Sequence, residues 1–239
     1  MTSLGYARSD LLVDTDWLQQ NLDDPGIRIV DCDQIDSYRR AHIKNAVGIR
    51  VHHYVKQPEY AEDPNAYPLV APPDVFAELM SGMGVGNNTQ VVAYDGFGGL
   101  YATRFWWVLN YYGHTNVKVV NGGWKKWFDE GRPVSLDSPE RRQADFVPRA
   151  QPDLLCTLDY GVSQVGDGDT VFLDVRSDAE WDGTNDRGNR RAGHVPGAVH
   201  LEWLNLLTDD RHQTFKPAAE VRATLEALGV TPDKQVITY

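Results

Sequence analysis

Apolar residues along this chain switch between two periods. Short runs at 27–31, 90–94, 117–120, 170–175 and 235–238 are β-branched, aromatic and apolar almost throughout, as strands buried on both faces of a sheet are. Between them apolar positions recur three and four residues apart. Val75, Phe76, Leu79 and Met80 follow Pro72-Pro73-Asp74, and Val221, Leu225 and Leu228 follow Pro217 with Gly229 as the stop. These are the start and stop signals of amphipathic helices. Helices are also predicted over 100–111 and 123–128. Such alternation predicts an α/β fold whose parallel sheet is covered by helices on both faces.

The pattern occurs twice. Ile29-Val30-Asp31 leads through Ser37-Tyr38-Arg39-Arg40-Ala41-His42-Ile43 to Ala46-Val47. Phe172-Leu173-Asp174 leads through Ala179-Glu180-Trp181 to Gly193-His194-Val195-Pro196-Gly197-Ala198-Val199. Each half then passes a Gly-Val pair, at Gly84-Val85 and Gly229-Val230, and enters an apolar run ending in tyrosine, Tyr94 and Tyr239. Four matches in one order define a tandem repeat. The predicted organisation is a domain over 1–135, a polar Pro- and Arg-rich linker over 136–153, and a second domain over 154–239. The first copy runs past Tyr94 into Asp95-Gly96-Phe97-Gly98-Gly99, a helix, a strand and a terminal helix. Measured against it, the second copy is expected to lack roughly 40 residues beyond Tyr239, which would leave a strand edge open. A modified cysteine at the next position or a nick in the chain would account for the stop.

Composition narrows the function. Of 239 residues 24% are charged, and the net charge is −11. That field repels nucleic acid and anionic membranes, and an anionic ligand needs a local positive pocket set against it. No apolar run approaches the roughly 20 residues of a membrane span, and residues 1–10 carry no apolar signal core, so a cytoplasmic location is expected. The two cysteines, Cys32 and Cys156, fall in different repeats without CxxC spacing, so no disulfide framework is expected. His52-His53 would point to opposite sides of an extended run and no cluster completes them, so no metal site is expected. The 95–99 loop lacks GxGxxG spacing and a P-loop lysine, which argues against a nucleotide.

Phe172-Leu173-Asp174-Val175-Arg176-Ser177, followed by Gly193-His194-Val195-Pro196-Gly197-Ala198, resembles the paired signature of a rhodanese domain. Tyr94-Asp95-Gly96, Arg104-Phe105-Trp106-Trp107, Tyr112-Gly113-His114 and Asn121-Gly122-Gly123-Trp124-Lys125-Lys126-Trp127 resemble the non-catalytic N-terminal domain of two-domain sulfurtransferases. The resemblance implies two tandem rhodanese-like domains, the second incomplete here. It implies a cysteine directly after Tyr239 that accepts a sulfane sulfur from thiosulfate or 3-mercaptopyruvate as a persulfide. The sulfur then passes to cyanide or another thiophile such as a thiol. No cofactor, metal, nucleic acid or membrane is implied as a partner. The chemistry is physically consistent: a free thiol has a pKa of roughly 8.5, and a loop of inward-facing amides at a helix N-terminus stabilises the thiolate and the persulfide anion.

The first repeat supplies a comparison. Asp95 stands at its nucleophile position, and a hard oxygen nucleophile cannot form a persulfide, so this copy is expected to be a sulfur-inactive pseudo-site. It carries Asp33 where the second copy carries Arg176. Arg176 is therefore a candidate for the donor's anionic end, with an ion pair to Asp174, Asp178 or Glu180 as the alternative. Asp174, matched by Asp31, is expected either to order the loops around the site or to act as a plain cap acceptor. In thiosulfate-type members a second arginine would be sought where Glu180 stands. Arg187, Arg190 and Arg191, in an insertion absent from the first copy, are candidates to replace that charge or else a solvated loop. Tyr101 is read as a wall of an interdomain cleft or as packing. His194 is read as fixing its turn, Cys32 as a buried structural thiol, Cys156 as an unactivated one, and Trp106, Trp107, Trp124 and Trp127 as core or interface aromatics. Three alternatives to a sulfurtransferase stay open: a non-catalytic binding module, a sulfur carrier for a biosynthetic partner, and a phosphatase or arsenate reductase on the same scaffold.

Overall fold

A computed structural model describes residues 4–49, 70–140 and 142–239; His52 and His53 lie outside them. The chain forms two compact units. The first comprises Arg8–Leu154 and Asp210–Thr214. The second comprises Leu155–Asp209, Phe215–Tyr239 and the N-terminal arm up to Ala7.

The first unit runs β1 (Leu12–Val13), α1 (Thr15–Gln20), β2 (Ile27–Asp31), α2 (Ile35–Arg40), β3 (His42–Ile43), β4 (Val47–Gly48), α3 (Pro73–Gly82), β5 (Gln90–Tyr94), α4 (Leu100–Tyr111), β6 (Val117–Val120), α5 (Gly123–Asp129) and β7 (Val134–Ser135). Its five-stranded sheet has the order β1-β6-β5-β2-β4, every neighbouring pair parallel. Strand alternation divides the apolar residues between two cores. Val30, Val91, Ala93 and Val119 face Phe76, Met80, Phe105 and Leu109 of α3 and α4. Ile29, Val92, Tyr94 and Val120 face Leu18 of α1 and Trp127 of α5. Near-continuous apolar runs are what burial on both faces requires. Proline at its N-terminus opens α3; Gly84, at φ +75°, ends it by returning the Val85 amide to the Met80 carbonyl at 2.9 Å, a left-handed cap that favours glycine.

The stretch 136–153 is part of this unit rather than free between two. Phe146 is buried against Phe76, and the amides of Arg149 and Gln151 donate to the carbonyls of Tyr112 and Tyr111 at 2.9 and 2.7 Å. One aromatic side chain and a few backbone bonds anchor a segment whose composition is otherwise that of a linker.

The second unit contains α6 (Leu158–Gln164), β8 (Thr170–Asp174), α7 (Asp178–Trp181), β9 (Val199–His200), α8 (Ala218–Ala227) and β10 (Gln235–Thr238). Its sheet, β10-β8-β9, is parallel. Thr157 caps α6 by accepting the Tyr160 amide, and Ser177 with Glu180 forms a capping box on α7. The arm at residues 4–7 joins this unit at the start of α8, where the Leu4 carbonyl accepts the Ala218 amide at 2.7 Å and Tyr6 donates to the Lys216 carbonyl at 2.7 Å. Strand β8 ends at Asp174, one residue before the predicted boundary. The Asp174 carboxylate accepts the Arg176 amide at 3.0 Å, and this side-chain turn competes with the strand ladder.

The two sheets share one register. Asp31 pairs with Tyr94 across β2 and β5. Leu173 pairs with Thr238 across β8 and β10, which sets Asp174 opposite Tyr239. The amides of Cys32 and Val175 then donate to the carbonyls of Tyr94 and Tyr239 at 2.8 and 3.1 Å. Among the described residues no helix is long and apolar enough to cross a membrane.

Candidate active site

Each unit builds the same device at the carboxyl ends of its central strands. In the first, the Tyr94 hydroxyl donates to the Asp31 carboxylate at 2.5 Å and accepts the Ile43 amide at 3.0 Å. In the second, the Tyr239 hydroxyl accepts the Val195 amide at 2.9 Å, and burial first, then the nearby Asp174 carboxylate, raises the phenol above its ordinary value. The histidine before that amide fixes the turn in both units. His42 Nδ1 meets the Tyr38 carbonyl at 2.8 Å with the two rings stacked 4.0 Å apart. His194 Nδ1 meets the Trp181 carbonyl at 2.9 Å with the rings 3.5 Å apart. His194 thus holds a turn, in keeping with its sequence reading.

The units differ in charge at this strand end. In the first, burial pushes Asp33 up to about 7, helped by neighbouring Asp31, and pushes Asp31 to about 6. Asp33 Oδ1 is buried with no hydrogen-bond partner. Three carboxylates, Asp31, Asp33 and Asp95, therefore converge there, a setting hostile to an anion. An acid whose folded pKa is raised holds more protons folded than unfolded, so the stability of this unit falls as pH rises from about 4 towards about 7. Asp33→Asn is expected to leave unfolding near pH 4 nearly unchanged and to stabilise the unit at pH 8 by about 1–3 kcal/mol, each pKa unit carrying roughly 1.4 kcal/mol. Urea titrations at the two pH values test this, and equal effects at both would refute it.

In the second unit Arg176 occupies the place of Asp33. Its Nε and Nη2 donate to the two Asp174 oxygens at 2.9 and 2.5 Å, Nη2 also reaches the Gly193 carbonyl at 2.9 Å, and the guanidinium lies 5.1 Å from the centre of the Tyr239 ring. Burial would raise the fully covered Asp174 carboxyl, but the hydrogen bonds and charge of Arg176 outweigh it and hold the acid below its ordinary range. Hydrogen bonding to Asp174 in turn raises Arg176 further. The pair is bidentate, which fixes the plane of the guanidinium and leaves Nη1 as the nitrogen without a protein acceptor among the described residues. Of the ion-pair partners considered from sequence, Asp174 is the one engaged.

Glu180 has a different partner. Its carboxylate accepts the Ser177 hydroxyl at 2.7 Å and Arg187 Nη2 at 3.2 Å, and these bonds hold it below the usual range. Arg187 is 64% exposed, so its charge stands at the surface.

Asp95 is buried, and its carboxylate accepts four backbone amides. Oδ1 takes Phe97 and Gly99 at 2.8 and 2.9 Å, and Oδ2 takes Tyr101 and Ala102, both at 2.8 Å. Gly98 and Gly99, at φ +68° and +92°, turn these amides inward, a conformation glycine tolerates. The loop and the first turn of α4 thus form an anion cradle that the chain fills with its own carboxylate. Close packing leaves no side-chain room behind it, since a Cβ on Gly123 would stand 2.0 Å from the Asp95 carbonyl oxygen. The Tyr101 ring packs on the core of its own unit and edge-on against Phe97.

Cys32 is buried, and desolvation followed by the neighbouring aspartates raises its thiol well above the ordinary value, which makes it inert. Trp127 is fully buried, while Trp106, Trp107 and Trp124 are partly covered. Among the described residues no group of three or more His, Cys, Asp or Glu side chains is placed to hold a metal ion. Two participants escaped the sequence reading: the bridging tyrosine hydroxyls and His200, whose Nε2 lies 3.0 Å from the Arg176 carbonyl. Aligning Ala46-Val47-Gly48 with Ala198-Val199-His200 contained the signal for the second.

Known proteins resemble this chain in sequence and fold. The family described as Rhodanese-like domain matches residues 14–130 and 157–239. The chain is 34% identical to the sulfur carrier protein TtuD of Thermus thermophilus, over 99% of this chain and 84% of that protein. It is 30% identical to the thiosulfate sulfurtransferase of Gallus gallus, over 79% of this chain and 67% of that protein. Its fold superposes on the crystal structure of the 3-mercaptopyruvate sulfotransferase SseA of Escherichia coli with a TM-score of 0.82 at 23% identity, covering 95% and 87% of the two chains. On these matches and on the device present at both strand ends, the chain belongs to the rhodanese family of sulfurtransferases and carries the rhodanese-like domain twice.

Proposed function

We propose that the protein bearing this chain moves a sulfane sulfur from a small anionic donor, thiosulfate or 3-mercaptopyruvate, to cyanide or a thiol through a cysteine persulfide. The nucleophile is a cysteine directly after Tyr239, placed as Asp95 is placed after Tyr94. The observation that carries this reading is the exchange of Asp33 for Arg176 on an otherwise repeated scaffold. It converts a strand end that repels anions into one whose guanidinium is locked in plane with Nη1 left for the donor. In this reading Asp174 orients Arg176, Asp95 marks a pseudo-site, and Arg187 lines the approach within the second unit. The four-amide cradle around Asp95 supports the same arrangement for the persulfide anion in the second unit.

Attack by the thiolate on the outer sulfur of thiosulfate forms the cysteine S–S bond, breaks the donor S–S bond and releases sulfite with the bonding electron pair. With 3-mercaptopyruvate the thiolate takes the sulfur, the C–S bond breaks, and pyruvate leaves after protonation of its carbon. The thiophile then attacks the outer persulfide sulfur and restores the thiolate. The test is mass spectrometry of the full-length protein after each donor. One added sulfur atom on the peptide that follows Tyr239, lost again on addition of cyanide, is expected. An unmodified peptide with both donors would overturn the reading. The likeness to TtuD, a sulfur carrier protein, favours a second reading in which the persulfide feeds a protein acceptor, and turnover with defined acceptors separates the two.

A further inference from the structure

The geometry points to His200 as a positioning residue that sets the backbone of Arg176 for the donor, an inference resting on the donor-binding reading of Arg176. The repeat itself supplies the comparison. Asp31 stands beside Gly48 across β2 and β4, and Asp174 stands beside His200 across β8 and β9. In the first unit the Tyr38 ring lies directly on Gly48, where a Cβ would sit 2.8 Å from its atoms, so no side chain fits. The second unit opens this place and fills it with an imidazole.

His200 makes three contacts there. Its ring is parallel to that of Trp181, at 7° and 4.9 Å, and His194 is stacked on the same indole at 10° and 3.5 Å. Its Nε2 is 3.0 Å from the Arg176 carbonyl oxygen. A carbonyl only accepts, so Nε2 is the protonated donor. Its Nδ1 lies 3.6 Å from the Asp178 carboxylate. The Trp181 face thus fixes the ring while Nε2–H fixes the peptide.

That peptide needs an outside donor. The Leu201 and Trp203 amides satisfy the carbonyls of Asp174 and Val175 at 3.0 and 3.1 Å, and the ladder supplies nothing to the next one. The His200 side chain extends the row by one residue, to the residue whose guanidinium is clamped by Asp174. A hydrogen bond at the Cα end and a bidentate pair at the head hold Arg176 at both ends. His200 and Arg176 occur together in the unit read as active, and both are replaced, by Gly48 and Asp33, in the pseudo-site unit.

The test is a double-mutant cycle on the full-length enzyme with thiosulfate as donor and cyanide as acceptor. His200→Ala is expected to raise the KM for thiosulfate about fivefold, the worth of one hydrogen bond, with kcat within about twofold, and His200→Gln, which returns an N–H donor, is expected to restore KM. In an Arg176→Ala background His200→Ala should add nothing, since the group it positions is gone. Effects that add in full, a fall in kcat without a change in KM, or no rescue by glutamine would overturn the positioning role while leaving Arg176 as donor ligand. An Arg176→Ala enzyme with an unchanged KM would instead overturn the donor-binding reading, and this inference with it. If alanine unfolds the unit, His200→Asn, whose N–H falls short of the carbonyl, takes its place in the cycle with the same expectations.

Discussion

Asp95→Ala should destabilise the first unit by about 3–6 kcal/mol while leaving sulfur transfer per folded molecule nearly unchanged. The carboxylate is the acceptor for the amides of Phe97, Gly99, Tyr101 and Ala102. Each buried amide left without a partner costs roughly 1–3 kcal/mol, and entering water recovers part of the sum. Asp95→Asn keeps one acceptor oxygen and should fall between. Five of the seven tryptophans, Trp17, Trp106, Trp107, Trp124 and Trp127, lie in the first unit, so urea unfolding followed by fluorescence reports chiefly on it. Unaltered stability would mean the cradle closes without its anion. A large loss of turnover in a still-folded variant would mean the first unit takes part in the chemistry.

Arg176→Ala should cost about two orders of magnitude in kcat/KM for thiosulfate, carried mainly by KM, and much less in the single-turnover rate at which the thiolate forms a mixed disulfide with, and expels sulfinate from, an uncharged thiosulfonate ester. Charge-assisted hydrogen bonds to an anion contribute roughly 1.5–3 kcal/mol, and the uncharged donor forgoes them. The same substitution strands the Asp174 carboxylate, which is fully covered while Arg176 is 29% exposed. Breaking a buried pair costs about 3–5 kcal/mol, and partial exposure of the arginine places the expectation at about 2–4 kcal/mol of second-unit stability. Arg176→Lys should keep part of the charge effect and lose the bidentate geometry. Equal losses with both donors would assign Arg176 to packing alone.

Much of this was legible in the amino-acid order. Gln90–Tyr94 and Gln235–Thr238 both read as buried parallel strands, and both are strands, although in the second of them Ile237 alone is buried. Asp33 against Arg176 was visible as soon as the halves were aligned. Linear order did not show that Phe146, inside a polar stretch, completes a core, because composition averages away a single anchoring side chain. Nor did it show which of three acids Arg176 takes. Asp174, Asp178 and Glu180 are all within a few residues, and in the fold Arg176 takes Asp174 while Ser177 and Arg187 occupy Glu180.

By itself, then, the sequence determined the repeat, the parallel α/β architecture and the strand end in each copy at which the matched residues fall, since these follow from periodicity and residue type, which are properties of the order of residues. The tertiary structure decided the hydrogen-bond partners at that place: a tyrosine hydroxyl spanning a strand-end acid and a turn amide, a carboxylate seated on four amides, and an imidazole stacked on Trp181 beneath Arg176. Those pairings join residues distant in the chain, as far as the 63 positions between Asp31 and Tyr94. Hydrogen bonds of about 3 Å select among many polar candidates by direction and distance, which only the packed fold supplies.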